Sequence, residues 1–180
     1  MLMWDKVSKF LGHLANTKFG SSNRSNEYFE FTEFLPPNTA QRRTHLRLDL
    51  FLPINFWRVI KKAGGAQLSD ESVVRGEFER IQTCGGMGLN LSGSGVLIIS
   101  AEKFEKDDYI EINDRIFGKQ MCIYGRVTRS TMTNFDNSLI CEFGVKFLKI
   151  SDADRDFIVR AIFDKIKMLR QINEENSENY

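Results

Sequence analysis

Residues 41–61, QRRTHLR followed by LDLFLPINFWRVIK, join a cluster of positive charge to a run of strand-forming residues. Arg42, Arg43 and Arg47 place three guanidinium groups within six residues, just after the Pro36-Pro37 break. Such a cluster repels itself unless something anionic or planar meets it. Arg offers a flat fork of donors that grips phosphate in pairs and can stack on an aromatic face. In Leu48 to Ile54 the leucines and isoleucine fall on alternate positions, the period of a strand with one buried face. Pro53 lacks a ladder donor and implies an edge position or a bulge within that strand. On an extended chain Arg43 and Arg47 would lie roughly 13 Å apart at about 3.3 Å per residue. A turn would bring them to about 6 Å, within reach of one compact ligand. The segment Ala40 to His45 is therefore expected to be a turn or loop that orders on ligand.

The rest of the chain reads as further short strands. After a turn-rich connection from Lys62 to Ser72, Val73 to Gln82 reads as a strand leading through Cys84-Gly85-Gly86-Met87-Gly88. Those glycines do not make a phosphate loop, because no Lys-Ser/Thr pair follows and no crossover helix comes next. A glycine-kinked, bulged strand accounts for them better. Asn90-Leu91-Ser92-Gly93-Ser94-Gly95 reads as a tight polar turn. Its short side chains form hydrogen bonds, and its glycines allow positive φ and close backbone approach to a ligand. Gly95 to Ser100 is wholly apolar. Asp107 to Ile116 alternates and is expected to be half buried. Lys119 to Arg129 and Leu139 to Leu148 should pair as a hairpin across the loop Ser130 to Ser138. Short strands joined by turns predict a mainly β chain folded as a small antiparallel barrel. A C-terminal helix follows, capped by Ser151 with Asp152 and Asp154 in its first turn. Its apolar face would carry Ile158, Ile162, Phe163, Ile166 and Leu169.

The two ends read differently. Leu2, Trp4, Val7, Phe10, Leu11 and Leu14 have the spacing of an amphipathic helix that docks on the domain or on a partner subunit. Its polar face is too thinly basic to favour a membrane anchor. A polar linker around Gly20 to Asn26 follows, then Glu27 to Leu35 as an edge strand or extended arm. Residues 1–40 thus form an N-terminal helical and extended extension, 41–172 the barrel with its helix, and 173–180 an acidic tail expected to be disordered.

The 25 basic and 24 acidic residues leave a formal charge of +1, which argues against a bulk electrostatic binder of nucleic acid. Cys84, Cys122 and Cys141 lack metal-ligand spacing. As small buried thiols, Cys122 and Cys141 suit strand interiors and a reducing compartment. No signal peptide and no stretch of about 20 apolar residues is evident, so a soluble, cytoplasmic protein is expected. His13 and His45 have no nucleophile or metal ligand beside them in sequence. With no other catalytic constellation, the chain reads as a non-enzyme without metal or cofactor.

Arg43-x-x-x-Arg47 before a first strand, followed by Asn90-x-Ser92-x-x-Gly95, is a joint pattern that resembles the PilZ domain. That family is the bacterial receptor module for the second messenger cyclic di-GMP. The resemblance runs from about Gln41 to Arg170. It implies a six-stranded antiparallel barrel with a C-terminal helix. Carried over, Arg43 and Arg47 would bind guanine and phosphate. Asn90 and Ser92 would hydrogen-bond the base edge or phosphate, with Gly93 and Gly95 letting the backbone close in. Arg42 would stack on a second guanine if the ligand binds as an intercalated dimer. The resemblance implies a receptor that changes conformation on binding and signals to a protein partner, or self-associates, through the N-terminal extension. The alternative is a PilZ-like adaptor that contacts proteins and ignores nucleotide. A barrel for single-stranded oligonucleotides fits the charge balance least.

Overall fold

The computed structural model of the chain describes residues 48–63, 67–135 and 138–177. The expected N-terminal helix, linker and arm, and the arginine segment with Arg42, Arg43 and Arg47, lie outside them. Six antiparallel strands form the fold: β1 (Leu48–Lys61), β2 (Phe78–Ser92), β3 (Gly95–Ser100), β4 (Tyr109–Ile116), β5 (Lys119–Phe135) and β6 (Ser138–Lys149). They close into a barrel in the order β1-β2-β3-β6-β5-β4. Alternation along β1 turns Leu48, Leu50, Ile54 and Phe56 inward. Pro53 lies ahead of Phe56–Val59, the stretch that pairs with β4, and just after a register shift between Asp49 and Leu52. The donor it lacks is thus placed where the ladder is already irregular.

Inside the barrel, Phe104 stacks on Phe143 with ring centroids 4.6 Å apart, and Phe56 meets both rings at a tilt. The Arg58 guanidinium lies 4.1 Å from the centre of the Phe104 ring and donates to the carbonyl of Lys103, closing that end over the aromatic cluster. A helix, α2 (Asp152–Ser177), closes another side. Ser151 caps it: the Asp154 N–H donates to the serine hydroxyl, which donates to the Asp154 carboxylate at 2.7 Å. Ile158, Ile162 and Ile166 join the barrel core from this helix. Each buried isoleucine contributes roughly 1.5–3 kcal/mol of transfer free energy. Phe163, expected on the same face, is 56% exposed, because a position one residue past Ile162 turns about 100° away from the buried stripe. The backbone stays helical through Ser177, beyond Asn173, where the sequence reading began a disordered tail.

The structure also corrects the Val73–Gln82 strand. A second helix, α1 (Asp70–Arg75), occupies its first half, and β2 begins at Phe78. Ser69 and Ser72 form a reciprocal capping box, Asp70 and Glu71 occupy the first turn, and Gly76 ends the helix at φ 78°. These end signals outweigh the β-branched pair Val73-Val74. The helix packs on the outer face of the barrel. Val73 is fully buried against a cluster with Val59 and Tyr109, flanked by Trp57, Phe78 and Tyr124. The Tyr109 hydroxyl meets Asp70 at 3.1 Å, Arg126 pairs with Asp70, and Lys149 donates to the Val74 carbonyl. Burial, then the Asp70 carboxylate, pushes the Tyr109 phenol above its ordinary range.

This cover overturns a second expectation. Tyr109, Ile110, Glu111 and Ile112 are all buried, so the first half of β4 is covered on both faces rather than half buried. The β5–β6 hairpin is also longer than expected, with pairing from Tyr124–Lys149 out to Phe135–Ser138 through what read as a loop. Cys141 is buried and Cys122 exposed, because the strand face that carries Cys122 is left open there.

Candidate functional site

Four cross-strand partners form the floor of the candidate site. Asn90 on β2 pairs with Leu97 on β3, Leu97 with Gly144 on β6, and Gly144 with Arg129 on β5. A parallel row runs Ser92, Gly95, Lys146. Together with Ser94, Val96, Thr128 and Val145 these residues line a polar groove of about 540 Å3.

Both ends of the first row are bulged. The β2–β3 register slips between Gly88 and Asn90, and the β5–β6 register slips between Val127 and Arg129. A bulge sets two residues against one and re-aims the side chains that follow, a device that recurs beside functional sites. On β5 it leaves Thr128 and Arg129 both exposed, after buried Val127. The Thr128 hydroxyl donates to the Gly144 carbonyl at 3.1 Å. The Arg129 side chain crosses directly over Gly144. A Cβ on Gly144 would stand 3.2 Å from both Cγ and Nε of Arg129.

The groove's other wall is the β2–β3 turn. Asn90 and Ser92 end β2 rather than lying in a loop, and only Gly93 and Ser94 turn. Ser92 is 2% exposed. Its hydroxyl donates to the Gly95 carbonyl at 3.2 Å and accepts from the Ser94 N–H at 3.4 Å, so it pins the turn from inside. Phe147 N–H donates to the Ser94 carbonyl at 2.9 Å and ties the turn to β6. Neither Gly93 nor Gly95 has positive φ; among the described glycines Gly76 and Gly118 do. The two glycines are required for close approach instead. A Cβ on Gly95 would collide with the Val145 carbonyl, and one on Gly93 would stand 2.9 Å from Cγ2 of Val159 on α2. The approach that Gly93 permits is to the protein's own helix.

The structure therefore gathers Asn90, Ser92 and Gly95 on one groove, turns Gly93 toward α2, and leaves Arg42, Arg43 and Arg47 outside the described residues. Sequence reasoning missed Leu97, Thr128, Arg129, Gly144 and Lys146. Arg129 and Lys146 sit at strand positions that read as an ordinary solvated face, and only the β5 bulge and the missing side chain at Gly144 distinguish them. Among the described residues, no group of three or more His, Cys, Asp or Glu is placed to hold a metal ion. No described helix is long and apolar enough to cross a membrane.

Three solved structures are similar to this chain. The PilZ domain of YcgR from Escherichia coli, solved with c-di-GMP, is 17% identical with a TM-score of 0.46, over 74% of this chain and 98% of that one. The inhibitor of motility MotI/DgrA from Bacillus subtilis is 16% identical with a TM-score of 0.45, over 74% of this chain and 53% of that one. YcgR from Escherichia coli in complex with c-di-GMP is 18% identical with a TM-score of 0.46, over 74% and 50%. The chain spans about half the length of the last two. No curated protein matches it. The model of the PilZ domain family matches residues 41–164, more than half of the sequence and all six strands, and the chain belongs to that family.

Proposed function

We propose that this protein is a receptor for cyclic di-GMP that changes conformation on binding and passes the signal to a protein partner. The observation that carries the reading is the groove itself. Asn90, Ser92 and Gly95 of the second motif line it, and β1 enters beside it with Leu48 paired to Leu91. Arg47 immediately precedes Leu48 in the sequence. The first motif thus leads in sequence into the strand that borders the second. Arg43 and Arg47 supply charge-assisted bonds to phosphate and guanine, Arg42 a face for a second guanine, and Asn90 a base-edge partner. Ser92 and Gly95 hold the turn that presents Asn90, with Gly93 seating that turn on α2. Ligand favours the arrangement in which both motifs meet, and this differential contact is what shifts the population.

Residues 1–40, outside the family match, are the proposed output surface, for a partner protein or for self-association. The working site is the bacterial cytoplasm, the chemistry is binding without catalysis, and no cofactor is required beyond the messenger. Calorimetric titration of the full chain with cyclic di-GMP tests this, with Arg43→Ala and Asn90→Ala as controls. The expected result is saturable binding that weakens about tenfold or more in each variant. A folded wild type that binds nothing would sink the receptor reading and leave the protein-binding adaptor in its place.

A further inference from the structure

We propose that the apolar outer face of β2, β3 and β6 is the seat of this chain's own segment Glu27–Leu35. The segment lies across that face with the rings of Phe29 and Phe31 against Met87, Ile99 and Ile140. The inference stands whether or not the protein binds a nucleotide.

Register defines the face. Met87 pairs with Ile99 and Ile99 with Glu142, whereas the neighbouring Ile98 and Phe143 pair with each other and belong to the interior core. Successive side chains on a strand point to opposite sides of the sheet. Met87 and Ile99 therefore stand outside the barrel, and so does Ile140, two residues along β6 from Glu142. Yet Ile99 is 1% and Ile140 3% exposed. Side chains on an open sheet face shield one another's flanks and leave their tips in water, so exposure this low requires a layer above the sheet. The two described helices are engaged elsewhere, α1 on Val59 and Tyr109 and α2 in the interior core. Phe51 and Leu89, the partly buried apolar side chains packed against the cluster, come from the same sheet.

Chain length and chemistry name the occupant. β1 begins at Leu48, paired with Leu91, and Met87 lies four residues back along β2, about 13 Å at 3.3 Å per residue. The connection from Leu35 to Leu48 can span up to roughly 43 Å, ample for that reach. Residues 36–47, PPNTAQRRTHLR, are too polar to cover an apolar face, so Glu27–Leu35 is the first apolar segment upstream of β1. The internal segments outside the described residues, Gly64-Gly65-Ala66 and Asp136-Asn137, carry no large apolar side chain. On an extended chain Phe29 and Phe31 share one side about 7 Å apart, which suits a patch three strands and so about 10 Å wide. The barrel is closed, so the segment covers the face without extending a ladder. Seated there, it anchors the far end of the connection that carries Arg42, Arg43 and Arg47, and it leaves residues 2–14 to meet a partner.

Disulfide trapping in the full chain tests this, with the exposed Cys122 changed to serine. Phe31→Cys with Met87→Cys is compared with Phe31→Cys with Gln120→Cys, an exposed position on the β4–β5 side of the barrel. Non-reducing gels and mass spectrometry separate links within one chain from links between two. The Met87 pair is expected to close within one chain about tenfold faster than the Gln120 pair, because docking raises the local concentration of the two thiols. Equal rates, or no link at Met87, overturn the proposal. A link at Met87 that joins two chains assigns the seat to a second copy and overturns it as well. Chymotrypsin digestion of wild type and the Phe29→Ser, Phe31→Ser double variant decides if the cysteine variants fail to fold. The double variant is expected to be cut after Tyr28 or Phe34 about tenfold faster and to melt lower than wild type. Equal cutting and equal melting midpoints refute the seat.

Discussion

The Arg80 guanidinium donates two 2.7 Å hydrogen bonds to the carboxylate of Glu111, which is 0% exposed. Arg80 itself is about half exposed and joins β2 to β4 across the intervening β1. The Cys122 thiol meets the same carboxylate at 3.6 Å. Glu111 pairs across the sheet with Trp57 on β1 and Tyr124 on β5, so an aromatic side chain flanks it on either side.

Removing the arginine leaves that carboxylate without its charged partner. Arg80→Ala should lower stability by about 2 kcal/mol, less than a fully buried pair would lose, because water reaches the Arg80 side. Urea unfolding of wild type, Arg80→Ala, Glu111→Gln and the double variant checks this. A coupling near zero in the cycle would show that the pair adds nothing beyond its two members.

Asp154 gives the fold a pH dependence with a definite sign. The Lys119 ammonium, 2.7 Å away, and then the Ser151 hydroxyl hold its carboxyl below the ordinary value of 3.8. A carboxyl lowered in the folded state stabilises above its unfolded pKa and loses that contribution as pH falls through the folded value. Asp154→Asn should therefore cost about 1 kcal/mol near neutral pH, and the gap from wild type should close as pH falls below about 4. Melting curves from pH 7 to pH 2 test it, and a gap that is constant across this range refutes the assignment.

Ser92 and Arg43 should fail in different ways. Ser92→Ala removes the hydroxyl that pins the turn, so it should lower stability by about 1 kcal/mol and weaken cyclic di-GMP binding together. Arg43→Ala should weaken binding and leave the melting midpoint in place. Equal stability of Ser92→Ala and wild type would assign the hydroxyl to the ligand rather than to the turn.

Helix α1 depends on its cap. Ser69→Ala breaks the capping box and should cost about 1 kcal/mol. Because Val73 anchors α1 to Tyr109, the loss should also raise amide exchange in β4 near Tyr109. Exchange confined to residues 70–75 would show that the helix is a separate local unit.

What could be read from the sequence followed from how local each signal is. Alternation in β1, the all-apolar β3 and the Ser151 cap are properties of neighbouring residues, and each element formed where its signal lies. Helix α1 was misread because Val73-Val74 has strand chemistry, whereas its capping box depends on Ser69 and Ser72 acting as a pair. Burial of both faces of β4 depends on α1, which ends at Arg75, 34 residues before β4 begins at Tyr109, and no pattern within β4 records it. The site divides in the same way. Asn90, Ser92 and Gly95 are close enough in the chain to form a motif, while Arg129, Gly144 and Lys146 become neighbours only through the β5–β6 register.

Val159 of α2 rests against the β2–β3 turn at Gly93, and the backbone helix runs on for eighteen residues to Ser177. Ile162 and Ile166 hold the helix to the barrel core, so the eleven residues beyond Ile166, about 16 Å at 1.5 Å per residue, extend past the last of these anchors. The turn that bears the second motif and the end of the helix are thus joined through one van der Waals contact and one packed core.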